Sequence, residues 1–302
     1  MPDTTTSLYA TTPAPAASRP ALSSLHIRHS KGQRRLAMLT AYDAPTAALV
    51  DSAGIDMVLV GDSLGMAVLG RKDTLSVSMD EMVHHCRAVT SAVSHALVVG
   101  DMPFMSYECG PENALHNAGR LMAQGGVRAV KLEGGTTVLP QVRALVAAGI
   151  PVMGHLGLTP QRFAVLGGFK VQGKSADSAQ FLCAEALALQ EAGCFALVLE
   201  CVPQEVAKHI TSLVAIPTIG IGAGAGCDGQ VLVFHDMLGL TAGHTPRFVK
   251  RYADLATIIH QAVGEYVRDV REGTFPTTEH MFTMPEDEST SFHAACHRKT
   301  VV

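Results

Sequence analysis

Beyond residue 35 the chain alternates two patterns. Short runs rich in Val, Leu, Ile and Ala are followed by longer stretches whose apolar residues recur every three or four positions. The runs at 36–40, 57–60, 96–100, 129–132, 152–155, 196–199, 218–221 and 231–234 are strand candidates, with helix candidates at 111–123, 138–148, 175–192 and 204–213. Gly125, Gly149 and Gly193 stand just past three of these helices, where a glycine commonly ends a helix. Eight strand-then-helix units predict the α/β class, as a single (β/α)8 TIM-type barrel rather than an open doubly wound sheet, since a barrel uses about 250 residues as one domain. The barrel is expected over 31–273, including an amphipathic C-terminal helix at 253–272. The leader 1–30, rich in Thr, Ser, Ala and Pro, and the polar tail 274–302 lack this periodicity and are expected to be loosely ordered.

Gly220-Ile221-Gly222-Ala223-Gly224 has the look of a dinucleotide fingerprint, but it comes late in the chain and lacks both the third glycine and the acidic residue near position +20. In a barrel such glycines let backbone approach a ligand.

Composition narrows the partners. Apolar residues make up 47% of the 302, Trp is absent, and the formal charge is −4 with no Lys/Arg-rich run, which argues against nucleic acid and anionic membranes and leaves small-molecule substrates. The longest apolar stretches, such as 55–60, are far short of the roughly 18 residues of a membrane span. Seven scattered Cys without a CxxC pair suit free thiols in a reducing compartment, without a metal role. The leader has no secretory apolar core; its few acids, with Arg19 and Arg28, leave a mitochondrial transit peptide as the alternative to a cytoplasmic protein.

Candidate chemistry falls at the C-terminal ends of the strands, where a barrel assembles its active site. Asp62 and Ser63 follow the second strand, Asp101 the third, Lys131 and Glu133 end the fourth, His155 the fifth, and Glu200 follows the sixth. Each also has an ordinary reading. Asp62 and Asp101 suit capping or turn roles, Lys131 and Glu133 a plain ion pair, and His155 a hydrogen-bonded core histidine. Glu200, between an apolar strand and Cys201-Val202-Pro203, is expected to be partly buried, which charged side chains seldom are without a task. Asp62, Asp101 and Glu133 together offer hard oxygen ligands that suit Mg²⁺ better than zinc.

The motifs Ala41-Tyr42-Asp43, Val60-Gly61-Asp62-Ser63-Leu64-Gly65-Met66, Gly100-Asp101-Met102-Pro103-Phe104-Met105, Val130-Lys131-Leu132-Glu133-Gly134-Gly135, Gly154-His155-Leu156-Gly157-Leu158-Thr159-Pro160-Gln161, Leu199-Glu200-Cys201-Val202-Pro203 and Ile219-Gly220-Ile221-Gly222-Ala223-Gly224 follow one another in an order that closely resembles the ketopantoate hydroxymethyltransferase family. The likeness runs from about Arg35 to Gly273. It implies a magnesium site at Asp62, Asp101 and Glu133, direct or through water, substrate contacts from Ser63, Asp101 and Lys131, His155 lining the pocket, and Glu200 as the catalytic base. It further implies the (β/α)8 barrel, a homodecamer, and 5,10-methylenetetrahydrofolate as the one-carbon donor. The implied reaction hydroxymethylates 3-methyl-2-oxobutanoate through a magnesium-stabilised enolate to give ketopantoate, on the way to pantothenate and coenzyme A. A mean hydropathy of +0.22 suits a chain that buries surface between subunits.

Two rivals are set aside on residues. A lyase of the isocitrate lyase type would carry a Lys-Lys-Cys-Gly-His-like loop, which does not occur. A non-catalytic barrel would be free to lose Glu200 or the metal carboxylates, and all are present.

Overall fold

The computed structural model describes residues 19–299 except 242 and 244. Its first unit, up to Tyr252, contains α1 (Ser24–His29), β1 (Leu36–Thr40), α2 (Ala44–Ser52), β2 (Met57–Val60), α3 (Leu64–Ala67), α4 (Met79–Thr90), β3 (Leu97–Asp101), α5 (Pro111–Ala123), β4 (Ala129–Glu133), α6 (Leu139–Ala147), β5 (Val152–Gly157), α7 (Phe163–Leu166), α8 (Ala176–Glu191), β6 (Ala196–Glu200), α9 (Gln204–Leu213), β7 (Thr218–Ile221), β8 (Gly229–Leu232) and α10 (Phe234–Met237). All strands are parallel, and β8 pairs with β1, Leu36 opposite Gly229, so the sheet closes as a (β/α)8 TIM-type barrel.

Period-two alternation divides each strand between two cores. Met57, Leu59, Leu97, Val99, Ala129, Met153, Ala196, Val198, Ile219 and Val231 fill the barrel interior. Their neighbours Val58, Val60, Val98, Val130, Leu132, Leu197 and Leu199 face the helix layer. Continuing the inward parity toward the strand ends reaches Thr40, Asp101, Lys131, Glu133, His155 and Glu200. The register that buries the apolar residues therefore also aims the polar ones into the mouth.

The expectation of a loosely ordered leader through residue 30 is corrected for its described part. Ser23 and His26 form a capping box that starts α1, and Ile27 is fully buried in the interior cluster, with Leu22 packed against it. Leu22 N–H donates to the His95 carbonyl at 2.7 Å, just before β3, so this turn closes the N-terminal end of the barrel. Residues 1–18 lie outside the described residues.

The last strand begins two residues earlier than its apolar run. Gly229 and Gln230 pair with Leu36 and Ala37, while Phe234 N–H donates to Thr40 Oγ1 and opens α10. Between β7 and β8, residues 222–228 contain no helix, so the strand-then-helix expectation fails there. The Gly222–Gly224 turn thus precedes a strand, which disposes of the dinucleotide reading, and at φ +64° Gly222 has no room for a Cβ beside the Phe248 ring.

The second unit, residues 253–302, holds α11 (Leu255–Glu272) and α12 (Glu286–Lys299). Ile259, Val263, Tyr266 and Val270 recur on one face of α11, and each is about half exposed. Gly273, in the left-handed region, ends α11. The tail expected to be loose thus carries a second helix, starting within the acidic run Glu286, Asp287 and Glu288, where negative charge suits a helix N-terminus.

Candidate active site

At the C-terminal ends of the strands lies a cavity of about 490 Å³. All seven side chains singled out from the sequence line it. Asp62, Asp101, Lys131, Glu133 and His155 are each at most 4% exposed, and Glu200 is half-buried.

Lys131 Nζ lies 2.8 Å from Asp101 Oδ1, and the other Asp101 oxygen accepts from Asp62 N–H at 3.3 Å. His155 stands at the centre. Its Nδ1 is 3.3 Å from Lys131 Nζ and 3.5 Å from Glu133 Oε1, and its Nε2 is 3.3 Å from Glu200 Oε2. Ser63 Oγ is 2.8 Å from the Tyr42 hydroxyl. Behind Glu200 the backbone is constrained: Cys201 sits at φ 47°, unusual for a residue with a side chain, and a Cβ on Gly157 (φ +95°) would collide with the Glu200 carbonyl oxygen.

Three buried carboxylates crowd one ammonium. Burial pushes the Asp62 carboxyl well above the usual carboxylate range, and the charges of Asp101 and Glu133 push it further, against Lys131 and Gln161. Burial also raises Asp101, against the pull of Lys131. Glu133 moves the other way, because hydrogen bonding to His155 and its charge outweigh burial. Burial and Lys131 disfavour a charged His155, but hydrogen bonds to Glu133 and Glu200 prevail and raise it to about 9. For Lys131 burial is likewise overcome, by Asp101 first, and its pKa is raised.

These contacts argue against the simplest ordinary readings of Asp62, Asp101 and the Lys131–Glu133 pair. Asp62 does not cap α3, since Ser63 is the N-cap and the Asp62 carboxylate is bonded by Gln161. Asp101 pairs with Lys131, its register partner on the neighbouring strand β4, instead of closing its own turn, and Lys131 has Asp101, not Glu133, as its ion-pair partner. Among the described residues no three His, Cys, Asp or Glu side chains converge as a ready metal site. Both Glu133 oxygens have protein partners, Gln161 N–H at 3.0 Å and His155. Asp62 and Asp101 remain as a pair, with Asp101 Oδ1, buried, lacking an aligned hydrogen bond. Excess buried negative charge and an oxygen pair fit a hard cation such as Mg²⁺, which takes one or two carboxylates and keeps water elsewhere.

Sequence reasoning missed Gln161, Tyr107 and Tyr42. Gln161 and Tyr42 lie inside quoted motifs, but neutral groups offer no charge pattern to single them out. It missed the apolar wall too, including Met66, Phe169 and Phe248.

A closed parallel barrel whose buried acids and bases gather at the C-terminal mouth defines an enzyme of the TIM-barrel class. Residues 21–278 match the ketopantoate hydroxymethyltransferase family, and the chain belongs to it. It is 63% identical over 278 residues to 3-methyl-2-oxobutanoate hydroxymethyltransferase of Nitratidesulfovibrio vulgaris (strain DP4), covering 92% of this chain and 91% of that protein. Identity to the enzyme of the same name from Oleidesulfovibrio alaskensis (strain G20) is 65% over 268 residues, covering 89% and 93%. A crystal structure of phosphonopyruvate hydrolase shares the fold at TM-score 0.58 and 14% identity, covering 92% of this chain and 97% of that one.

Proposed function

We propose that the chain transfers a hydroxymethyl group from 5,10-methylenetetrahydrofolate to 3-methyl-2-oxobutanoate, giving ketopantoate for pantothenate and coenzyme A synthesis. Family membership supports the substrates. The observation that carries the chemistry is the facing of Glu200 and the acidic pair across one cavity, with His155 between.

Asp62, Asp101 and Glu133 would hold Mg²⁺, directly or through water. The ion supplies Lewis acidity that polarises the substrate ketone. Lys131 balances the charge of the substrate carboxylate, and Ser63, its oxygen 2.8 Å from the Tyr42 hydroxyl, offers a hydrogen bond to that group. Glu200 removes the proton from C3, and His155, held protonated beside it, donates a hydrogen bond to the new hydroxyl or returns a proton to it. The apolar wall keeps water from the enolate until it meets the one-carbon donor. The exposed apolar face of α11 supports a homo-oligomer, a decamer by family membership. Among the described residues no helix is long and apolar enough to cross a membrane, and bacterial relatives support a cytoplasmic over a mitochondrial setting.

The test is exchange of the C3 hydrogen with deuterium in heavy water, which needs no folate. Glu200→Gln keeps shape and binding but removes the basic oxygen, so exchange should fall by about 10² to 10⁴. A variant that exchanges as fast as the parent removes Glu200 from the role of base.

A further inference from the structure

We propose that Gln161 is a positioning residue that presents Asp62 and Glu133 to the cation, an inference that rests on the metal reading above. Gln161 is 3% exposed, in a short 3-10 turn, Pro160–Arg162, beyond β5. Its Nε2 donates to Asp62 Oδ2 and to the Met102 carbonyl, both at 2.9 Å. Its Oε1 accepts from the Tyr107 hydroxyl at 2.7 Å, and its backbone N–H donates to Glu133 Oε2 at 3.0 Å.

The partners dictate which way the amide faces. Met102 offers only a carbonyl and Asp62 a carboxylate, so the nitrogen must point toward them. The oxygen then needs a donor, and Tyr107 supplies it while its own oxygen accepts from Glu133 N–H at 3.3 Å. A flipped amide would set an oxygen against two acceptors, and Glu at 161 would add another carboxylate beside Asp62. Only a neutral side chain carrying both an N–H pair and an acceptor satisfies every contact.

Gln161 thus engages one of the two Asp62 oxygens and orients the group without neutralising it. Through Met102 it also anchors the residue after Asp101, and Leu158 N–H, three residues earlier, donates to the Glu200 carbonyl at 2.8 Å. One turn after β5 therefore ties together the ends of β2, β3, β4 and β6. Partners that orient metal-binding carboxylates typically govern affinity by 10- to 100-fold.

The experiment measures Mn²⁺ binding to the full-length protein without substrate, by titration calorimetry and by the electron paramagnetic resonance signal of free Mn²⁺. Gln161→Leu should raise the Mn²⁺ Kd by about 10- to 100-fold. At saturating Mn²⁺ its C3-exchange rate and the KM for 3-methyl-2-oxobutanoate should return to near the parent values, a recovery that mere loss of packing would not give. Tyr107→Phe, which keeps the Gln161 side chain but loses the bond that orients its amide and the acceptor for Glu133 N–H, should raise the Kd less but in the same direction, and it decides the matter if Gln161→Leu does not fold. A folded variant that binds Mn²⁺ as tightly as the parent overturns the role of Gln161 alone. A parent that binds no Mn²⁺ overturns the metal reading and this inference with it.

Discussion

At the N-terminal ends of the strands the inward side chains are Leu36, Met57, Leu97, Ala129, Ala196 and Ile219, sealed by Ile27. A few residues further along the same ring they become Thr40, Asp101, Lys131, Glu133, His155 and Glu200. Geometry is shared and chemistry reversed. Each apolar side chain removed from water at the floor stabilises the fold by about 1.5–3 kcal/mol. Charges at the mouth are desolvated at a cost of several kcal/mol each unless partners compensate, and Lys131 with a His155 raised to about 9 compensates the carboxylates only in part, since Asp62 stays well above the usual carboxylate range. The floor supplies the stability that lets the mouth keep an unfavourable arrangement.

Substitutions at the two ends should separate these contributions. Asp62→Asn removes a carboxyl whose ionisation burial, Asp101 and Glu133 all oppose. Activity should fall by about 10² or more, since a metal's charge stabilisation is worth several kcal/mol, while the melting temperature without divalent ions should rise. A fall in both would mean that the mouth also stabilises the fold. Ile27→Ala tests the other end: loss of a fully buried Ile costs about 2–5 kcal/mol, lowering the denaturation midpoint without changing the rate of C3 exchange below the transition. Leu25→Ala, at an exposed position of the same helix, is the control and should be silent.

Gly157→Ala, at the mouth end of β5, should touch stability and rate together, because the added methyl meets the Glu200 carbonyl and the backbone lies in the left-handed region. We expect about 1–3 kcal/mol of destabilisation together with slower C3 exchange; an intact rate would show that Glu200 tolerates displacement. The smallest effect belongs to the surface pair Arg71–Glu81. Bonds from the Arg71 side chain and then Ser78 N–H hold Glu81 down at about 2 from an ordinary 4.5. A depressed acid contributes stability above its unfolded pKa and loses it as pH falls through the folded one. The gap in melting temperature between parent and Glu81→Gln should accordingly narrow from pH 5 toward pH 2, and a constant gap would refute the linkage.

Much of this was legible in the chain because one physical rule produced it. The runs at 57–60 and 218–221 are the observed strands, and 111–123 is the observed α5, opened by Pro111, whose missing N–H costs nothing at a helix start. The inward parity that buries Leu97 and Val99 also delivers Asp101. Tertiary contacts wrote the rest. Gly229 and Gln230 are poor strand formers enlisted by β1, and Ile27 finds its pocket only in the assembled barrel. Asp62 and Glu133 were visible as charges, but Gln161, which touches both, carries none.

Ile27 has a consequence for vectorial synthesis. Its turn leaves the ribosome before any strand, yet the pocket that receives it exists only after β8 meets β1, some 200 residues later. At typical elongation rates of about 5–20 residues per second that is a wait of roughly 10–40 s. During that interval the apolar Ile27 is flanked by the polar His26, Arg28 and His29, and the earliest of the described elements is among the last to be buried.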